Sequence, residues 1–181
     1  MGRHRQRTAI TLAAVAAACL LVGATSDAAS PRGRALKPGD KAPDLRLPTA
    51  AGSTLALSDL RGEVILVDFW ASWCAPCQAS FPALSDLHAE LHDRGFEVVA
   101  VNVDERRDDA DAFLAARPHA MPVVFDPAGD APSAFGVSAM PTSFLLDRDG
   151  RVRFVHVGYT SKTIDAYRRE IDGLLAERTS R

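Results

Sequence analysis

Cysteine is scarce in this 181-residue chain, which has three, at positions 19, 74 and 77. So few cannot build a multi-disulfide framework, and the chain must bury an apolar core instead. Long runs of lysine and arginine are also missing, and the formal net charge is only −2. Nucleic acid is therefore not the expected partner. The longest apolar run, from Ala9 to Val22, is too short for a comfortable membrane span. There are no internal repeats and no second domain.

What the sequence does have begins with that apolar run. Arg3, His4, Arg5 and Arg7 precede it and the small-residue stretch 23–29 follows, the layout of an export signal. The division read from the sequence is a signal peptide over 1–28, or an uncleaved anchor, then a flexible tether over 29–40 and one domain over 41–181. Removing three leader arginines and Asp27 takes the net charge from −2 to −4. Cys19 follows Ala16-Ala17-Ala18, a loose likeness to the site of a lipidated bacterial cysteine, which gives a second possible tether. Once the leader is gone, only Cys74 and Cys77 remain, and neither is spare for a structural bridge.

Those two lie in Trp73-Cys74-Ala75-Pro76-Cys77, where an apolar strand over 63–70 gives way to a helix over 74–94. A helix N-terminus offers free N–H groups and a favourable dipole to a thiolate, so Cys74 is the expected nucleophile. Cys77, one turn further in and shielded, is the expected resolving thiol, and the pair can cycle between dithiol and disulfide. Pro82 predicts a kink inside this helix. The next apolar run, 96–103, is a second buried strand, and strand–helix–strand of this length requires a right-handed parallel crossover. The acidic stretch 104–111 reads as a solvated face leading into a helix over 110–116. A strand over 122–126, a helix over 131–135, a hairpin of 142–147 with 151–158 through Asp149-Gly150, and a helix over 162–178 complete the domain. Before all these, residues 42–48 and 54–57 read as an N-terminal hairpin.

The redox motif, the crossover and Met140-Pro141-Thr142 before the final hairpin together resemble the thioredoxin superfamily. Lys41-Ala42-Pro43-Asp44, the αβα insertion and the stretch 135–147 are similar to its TlpA-like branch, exported bacterial thiol-disulfide oxidoreductases that include cytochrome c maturation thioredoxins. The resemblance implies an α/β, thioredoxin-like fold: a mixed central sheet with helices on both faces, an N-terminal β-hairpin and an αβα insertion. It implies a cis bond before Pro141, in a loop packed against the disulfide, with Met140 offering backbone groups to an extended substrate and Thr142 beside it.

Asp68 stands where thioredoxins carry a buried acid that moves the proton of the second cysteine, and desolvation raises the pKa of such an acid. The other reading of Asp68 is an acid whose side chain reaches water or a backbone N–H at the strand end. Two positions depart from the family pattern: Ala100 where a lysine often accompanies that acid, and Ser80 where a glutamate often follows the second cysteine. Trp73 and Trp70 are expected to flank the site, with Trp70 equally suited to the core.

The expected activity is reduction of disulfides in extracytoplasmic proteins, such as apocytochrome c or a copper-site assembly protein, with no cofactor. Protein thiols and disulfides are the expected substrates of a monomer recharged by a membrane electron-donor protein. One rival is a copper(I) or zinc carrier using Cys74 and Cys77; His88 and His92 are also four apart on a helix, but read as solvated. The other rival is a peroxiredoxin-like peroxidase.

Overall fold

A computed structural model describes residues 33–177. The leader, Cys19 and the first part of the expected tether lie outside the described residues. Five strands form the central sheet: β3 (Val64–Trp70), β4 (Phe96–Asn102), β5 (Val123–Phe125), β6 (Thr142–Leu146) and β7 (Val152–Val157), after a separate hairpin of β1 (Arg46–Pro48) and β2 (Thr54–Ala56). Their spatial order is β5-β4-β3-β6-β7. The pairs β3·β4 and β4·β5 are parallel, whereas β3·β6 and β6·β7 are antiparallel. This is the mixed sheet expected of the thioredoxin-like fold.

Helices α1 (Ala75–Leu91), α2 (Arg107–Ala115), α3 (Asp130–Phe135) and α4 (Ser161–Ala176) connect or follow the strands. Every residue of β3 and β4 is buried, because helices or the hairpin cover both faces of the central strands. Strand alternation divides the core in two. Val64, Leu66, Trp70, Val98 and Leu145 face α1, α2 and α4, while Ile65, Val67, Phe69, Val99 and Phe144 face α3 and the N-terminal hairpin. Asp68 belongs by register to the first face, the one that also holds Cys77.

The helix expected over 74–94 is an α-helix to Leu91, tightened into a 3-10 turn over His92–Arg94 and stopped by Gly95 in the left-handed region. The helix expected over 110–116 starts earlier, at Arg107, with Asp108 and Asp109 in its first turn. Residues 36–40, expected within a free tether, instead lie against the body. Leu36 N–H donates to the Phe135 carbonyl at 3.1 Å, and Gly39 N–H to that of Val152 at 2.8 Å. Gly136 makes this docking possible: its φ is +69°, and a Cβ there would lie 2.3 Å from the Ala35 Cα. Among the described residues no helix is long and apolar enough to cross a membrane.

Candidate active site

Strand β3 ends at Trp70, and the following turn carries Cys74 to the N-cap of α1, with Pro76 in the first turn where its missing N–H costs nothing. Cys74 and Cys77 are joined as a disulfide. The Cys77 N–H donates to Cys74 Sγ at 3.3 Å, so a sulfur at this position meets a helix N–H as well as the dipole. Cys74 is nearly buried, at 6 % exposure, yet it alone of the pair reaches the surface. Cys77 is fully buried. An incoming sulfur therefore meets Cys74 first.

Cys74 opens into a groove of about 530 Å³ lined by Trp73, Pro76, Val103, Pro132 and the segment 137–140. None of its lining residues is charged. Trp73 stands at its rim, 68 % exposed, an unusual cost for a tryptophan unless something covers it. Met140 lines the same groove, and the Met140–Pro141 bond is cis. The Pro141 carbonyl accepts the Gly158 N–H at 2.7 Å, which ties the loop to the end of β7.

Three residues expected at the substrate site, Trp70, Pro141 and Thr142, do not line the groove, and Pro141 is buried behind it. Trp70 is wholly buried between Phe81 and Phe113, with ring centroids 5.1 and 4.9 Å away, because its strand position points under α1. Thr142 is buried too, and its hydroxyl donates to the Ala139 carbonyl at 2.7 Å, bracing the loop from behind. Trp70 is a core residue and Thr142 a brace.

Asp68 is only 2 % exposed, so its carboxylate is almost wholly withdrawn from water. Burial is the larger influence and pushes its pKa up to about 7; the hydrogen bond from Ser143 pulls the other way. Ser143 Oγ lies 2.6 Å from Asp68 Oδ1 and 2.7 Å from the Tyr167 hydroxyl. Burial and the nearby Asp68 charge raise the Tyr167 phenol as well, so it stays a proton donor. On the other side of Asp68 the β4 partner is Ala100, fully buried, and no cation is among the causes of the shift. Asp68 therefore meets the hydroxyl of Ser143, itself bonded to Tyr167, and no cation. A serine directly across β6 and a tyrosine on α4 were not legible as a network, because register and helix docking alone bring them together.

Ser80, the second departure, is buried and donates to the Cys77 carbonyl at 3.0 Å. It puts no charge beneath the disulfide.

Asp104 corrects the reading of 104–111 as a solvated face, since it is only 3 % exposed. Its carboxylate accepts the Ser72 N–H at 3.0 and 3.1 Å, the Ser72 hydroxyl at 3.1 Å and the Asn102 amide at 2.8 Å. Gln78 clamps the same loop from the helix, donating to the Ser72 carbonyl at 2.6 Å. The signal in the sequence was position: Asp104 leaves the C-terminal end of a parallel strand beside the one that delivers the cysteines. We expect Asp104→Ala to lower stability by about 2–3 kcal/mol, since it orphans several buried donors at once. The urea midpoint measures this, and thiol-disulfide exchange should slow as the loop loses its anchor.

A redoxin family model matches residues 37–175. The chain belongs to the redoxin family. It is 33 % identical over 124 residues to the thiol-disulfide oxidoreductase ResA of Geobacillus thermodenitrificans, covering 68 % of this chain and 71 % of that one. Among solved structures, one named for the thiol:disulfide interchange protein DsbE of Chlorobium tepidum has a TM-score of 0.76 and 46 % identity, over 78 % of this redoxin and 100 % of that chain. The exposed lipoprotein thioredoxin of Streptococcus pneumoniae has a TM-score of 0.64 and 28 % identity, over 73 % and 100 % respectively. This redoxin is thus a thiol-disulfide oxidoreductase of the TlpA-like branch of the thioredoxin superfamily.

Proposed function

We propose that this redoxin is an exported reductant of protein disulfides, with apocytochrome c or a copper-site assembly protein as its substrate. The observation that carries the direction of the reaction is the uncharged groove around Cys74. DsbA is a strong oxidant because its reduced form is stabilised. Here no lysine, arginine or histidine lines the groove to stabilise the Cys74 thiolate beyond the helix N-terminus. The reduced form is then the less favoured one, and it gives up its electrons readily.

In this reading the Cys74 thiolate attacks one sulfur of the substrate disulfide, and the other substrate sulfur leaves as a thiolate. Cys77 then loses its proton, with Asp68 as the base, and attacks Cys74 Sγ. The second substrate sulfur departs, two electrons have passed to the substrate, and the Cys74–Cys77 disulfide remains. An acid with a pKa near 7 can take the proton and pass it on at neutral pH. The apolar walls of Trp73, Val137 and Met140 suit an extended, weakly polar substrate segment. Export is supported by the basic-then-apolar leader and by the likeness to an exposed lipoprotein thioredoxin. A membrane electron donor recharges the pair in an oxidising compartment.

Equilibration with glutathione tests the direction. The expected potential is close to thioredoxin's, about −270 mV, and a value near DsbA's, about −120 mV, would make the protein an oxidase. A disulfide-bonded apocytochrome peptide carrying the C-x-x-C-H haem site tests the substrate. Reduction of insulin but not of that peptide would rule the cytochrome out.

A further inference from the structure

At the opposite end of α1 from the disulfide, three side chains converge that the redox chemistry does not use. His88 and His92 are one helical turn apart, and Glu97 rises beside them on β4. His88, expected to be solvated, is 5 % exposed, and Glu97 is buried equally deeply. His92 closes the cluster from the solvent side. One ligand atom from each of the three lies within 4.8 Å of the others.

We propose that His88, His92 and Glu97 form a binding site for a divalent transition-metal ion of the zinc class. His88 Nε2 is 2.8 Å from Glu97 Oε1, and His92 Nδ1 is 3.4 Å from Glu97 Oε2. Ligands about 2.0–2.1 Å from a tetrahedral ion lie roughly 3.3 Å from one another, so these spacings already approximate a coordination edge. Both ring nitrogens of His88 are buried without a hydrogen-bond partner, although Nε2 lies 2.8 Å from Glu97 Oε1. A buried imidazole with nothing to bond is costly, and a shared cation removes that cost.

Charge favours the same occupant. The site lies at the C-terminal end of α1, where the helix dipole is negative, and a second carboxylate, Glu63, has an unpartnered buried oxygen and acts on Glu97. Two histidines and one glutamate are a known zinc donor set, with water free to complete the tetrahedron. Eleven residues of helix, about 16 Å, separate His88 from Cys77, so the ion does not touch the disulfide. It would pin the end of α1 to the start of β4.

Titration calorimetry with Zn²⁺ on the oxidised protein tests this, because the disulfide keeps Cys74 and Cys77 from competing for metal. One equivalent should bind, raise Tm and leave disulfide-exchange activity unchanged. His92→Ala, at a half-exposed side chain, should bind at least about tenfold more weakly and lose the rise in Tm. Glu97→Gln should behave alike, and Co²⁺ should give tetrahedral visible absorption in the parent protein only. No binding to the oxidised parent, or equal binding by the parent and both variants, would overturn the site. So would metal uptake that occurs only after the disulfide is reduced.

Discussion

Asp68→Asn should stabilise the oxidised protein by about 2–4 kcal/mol at about pH 8 and flatten its stability across the neutral range. The reason is linkage between ionisation and folding. The Asp68 carboxyl ionises near its ordinary 3.8 in the unfolded chain but only near 7 in the folded one, because β3 holds it out of water. Between those values the folded state binds the extra proton, so stability falls as pH rises from about 4 to about 7. Above 7 the full cost is present, about 4 kcal/mol for a shift of roughly three units. Below 4 the carboxyl is neutral in both states, and the cost vanishes.

Asparagine has the same shape, can still accept from Ser143 and never ionises, so it removes the cost and keeps most of the packing. Urea unfolding over that pH range measures the effect. The same substitution should slow resolution of the mixed disulfide by about 10²-fold or more at neutral pH, the usual worth of a positioned base. A variant more stable but equally fast would remove Asp68 from the mechanism and leave it a buried acid only. If stability showed no pH-dependent gain, the carboxylate would have a route to water.

The second large effect concerns the order of the cysteines. Cys74→Ala should abolish protein-disulfide reduction, down to the rate of the uncatalysed exchange. Cys77→Ala should also stop turnover, but for a different reason: Cys74 still attacks, and the mixed disulfide has no neighbouring thiol to resolve it. The expected readout is a covalent adduct, visible by mass spectrometry, with Cys77→Ala and none with Cys74→Ala. The assignment rests on accessibility, since only Cys74 opens into the groove and only its sulfur accepts a helix N–H. Adducts formed by Cys74→Ala, or more than a few per cent of turnover left in it, would reverse the order. Trapping from an extracytoplasmic fraction with Cys77→Ala would also name the substrate.

Much of this was legible because each clue was local in the chain. The apolar runs of β3 and β4, the C-x-x-C pair at a strand–helix junction, and Asp149-Gly150 before β7 each carry their meaning within a few residues. Position in a strand buried on both faces pointed to a buried Asp68 but left open a path to water at the strand end, which only the closed fold decided. What failed were inferences about which side chains a given residue would meet. Trp70 and Trp73 are three positions apart, yet one is sealed against Phe81 and Phe113 and the other stands in solvent. His88 and Asp104 looked like solvated polar residues because the partners that bury them, Glu97 and Ser72, lie 9 and 32 positions away.

The sequence by itself therefore determined the chemistry of the reacting atoms: a dithiol at a helix N-terminus, on an α/β scaffold whose strands and helices follow from their apolar periodicity. Those properties depend on backbone geometry and hydrophobic pattern, which act over one strand or one turn. The tertiary structure alone decided what surrounds that chemistry. Sheet register put Ser143 against Asp68 where Ala100 offers nothing, docking of α4 added Tyr167, and the turn from β4 into α2 brought Asp104 under the cysteine loop. Burial and hydrogen bonding of a polar side chain are set by atoms distant in sequence, so they come into being only when the sheet and helices close over it.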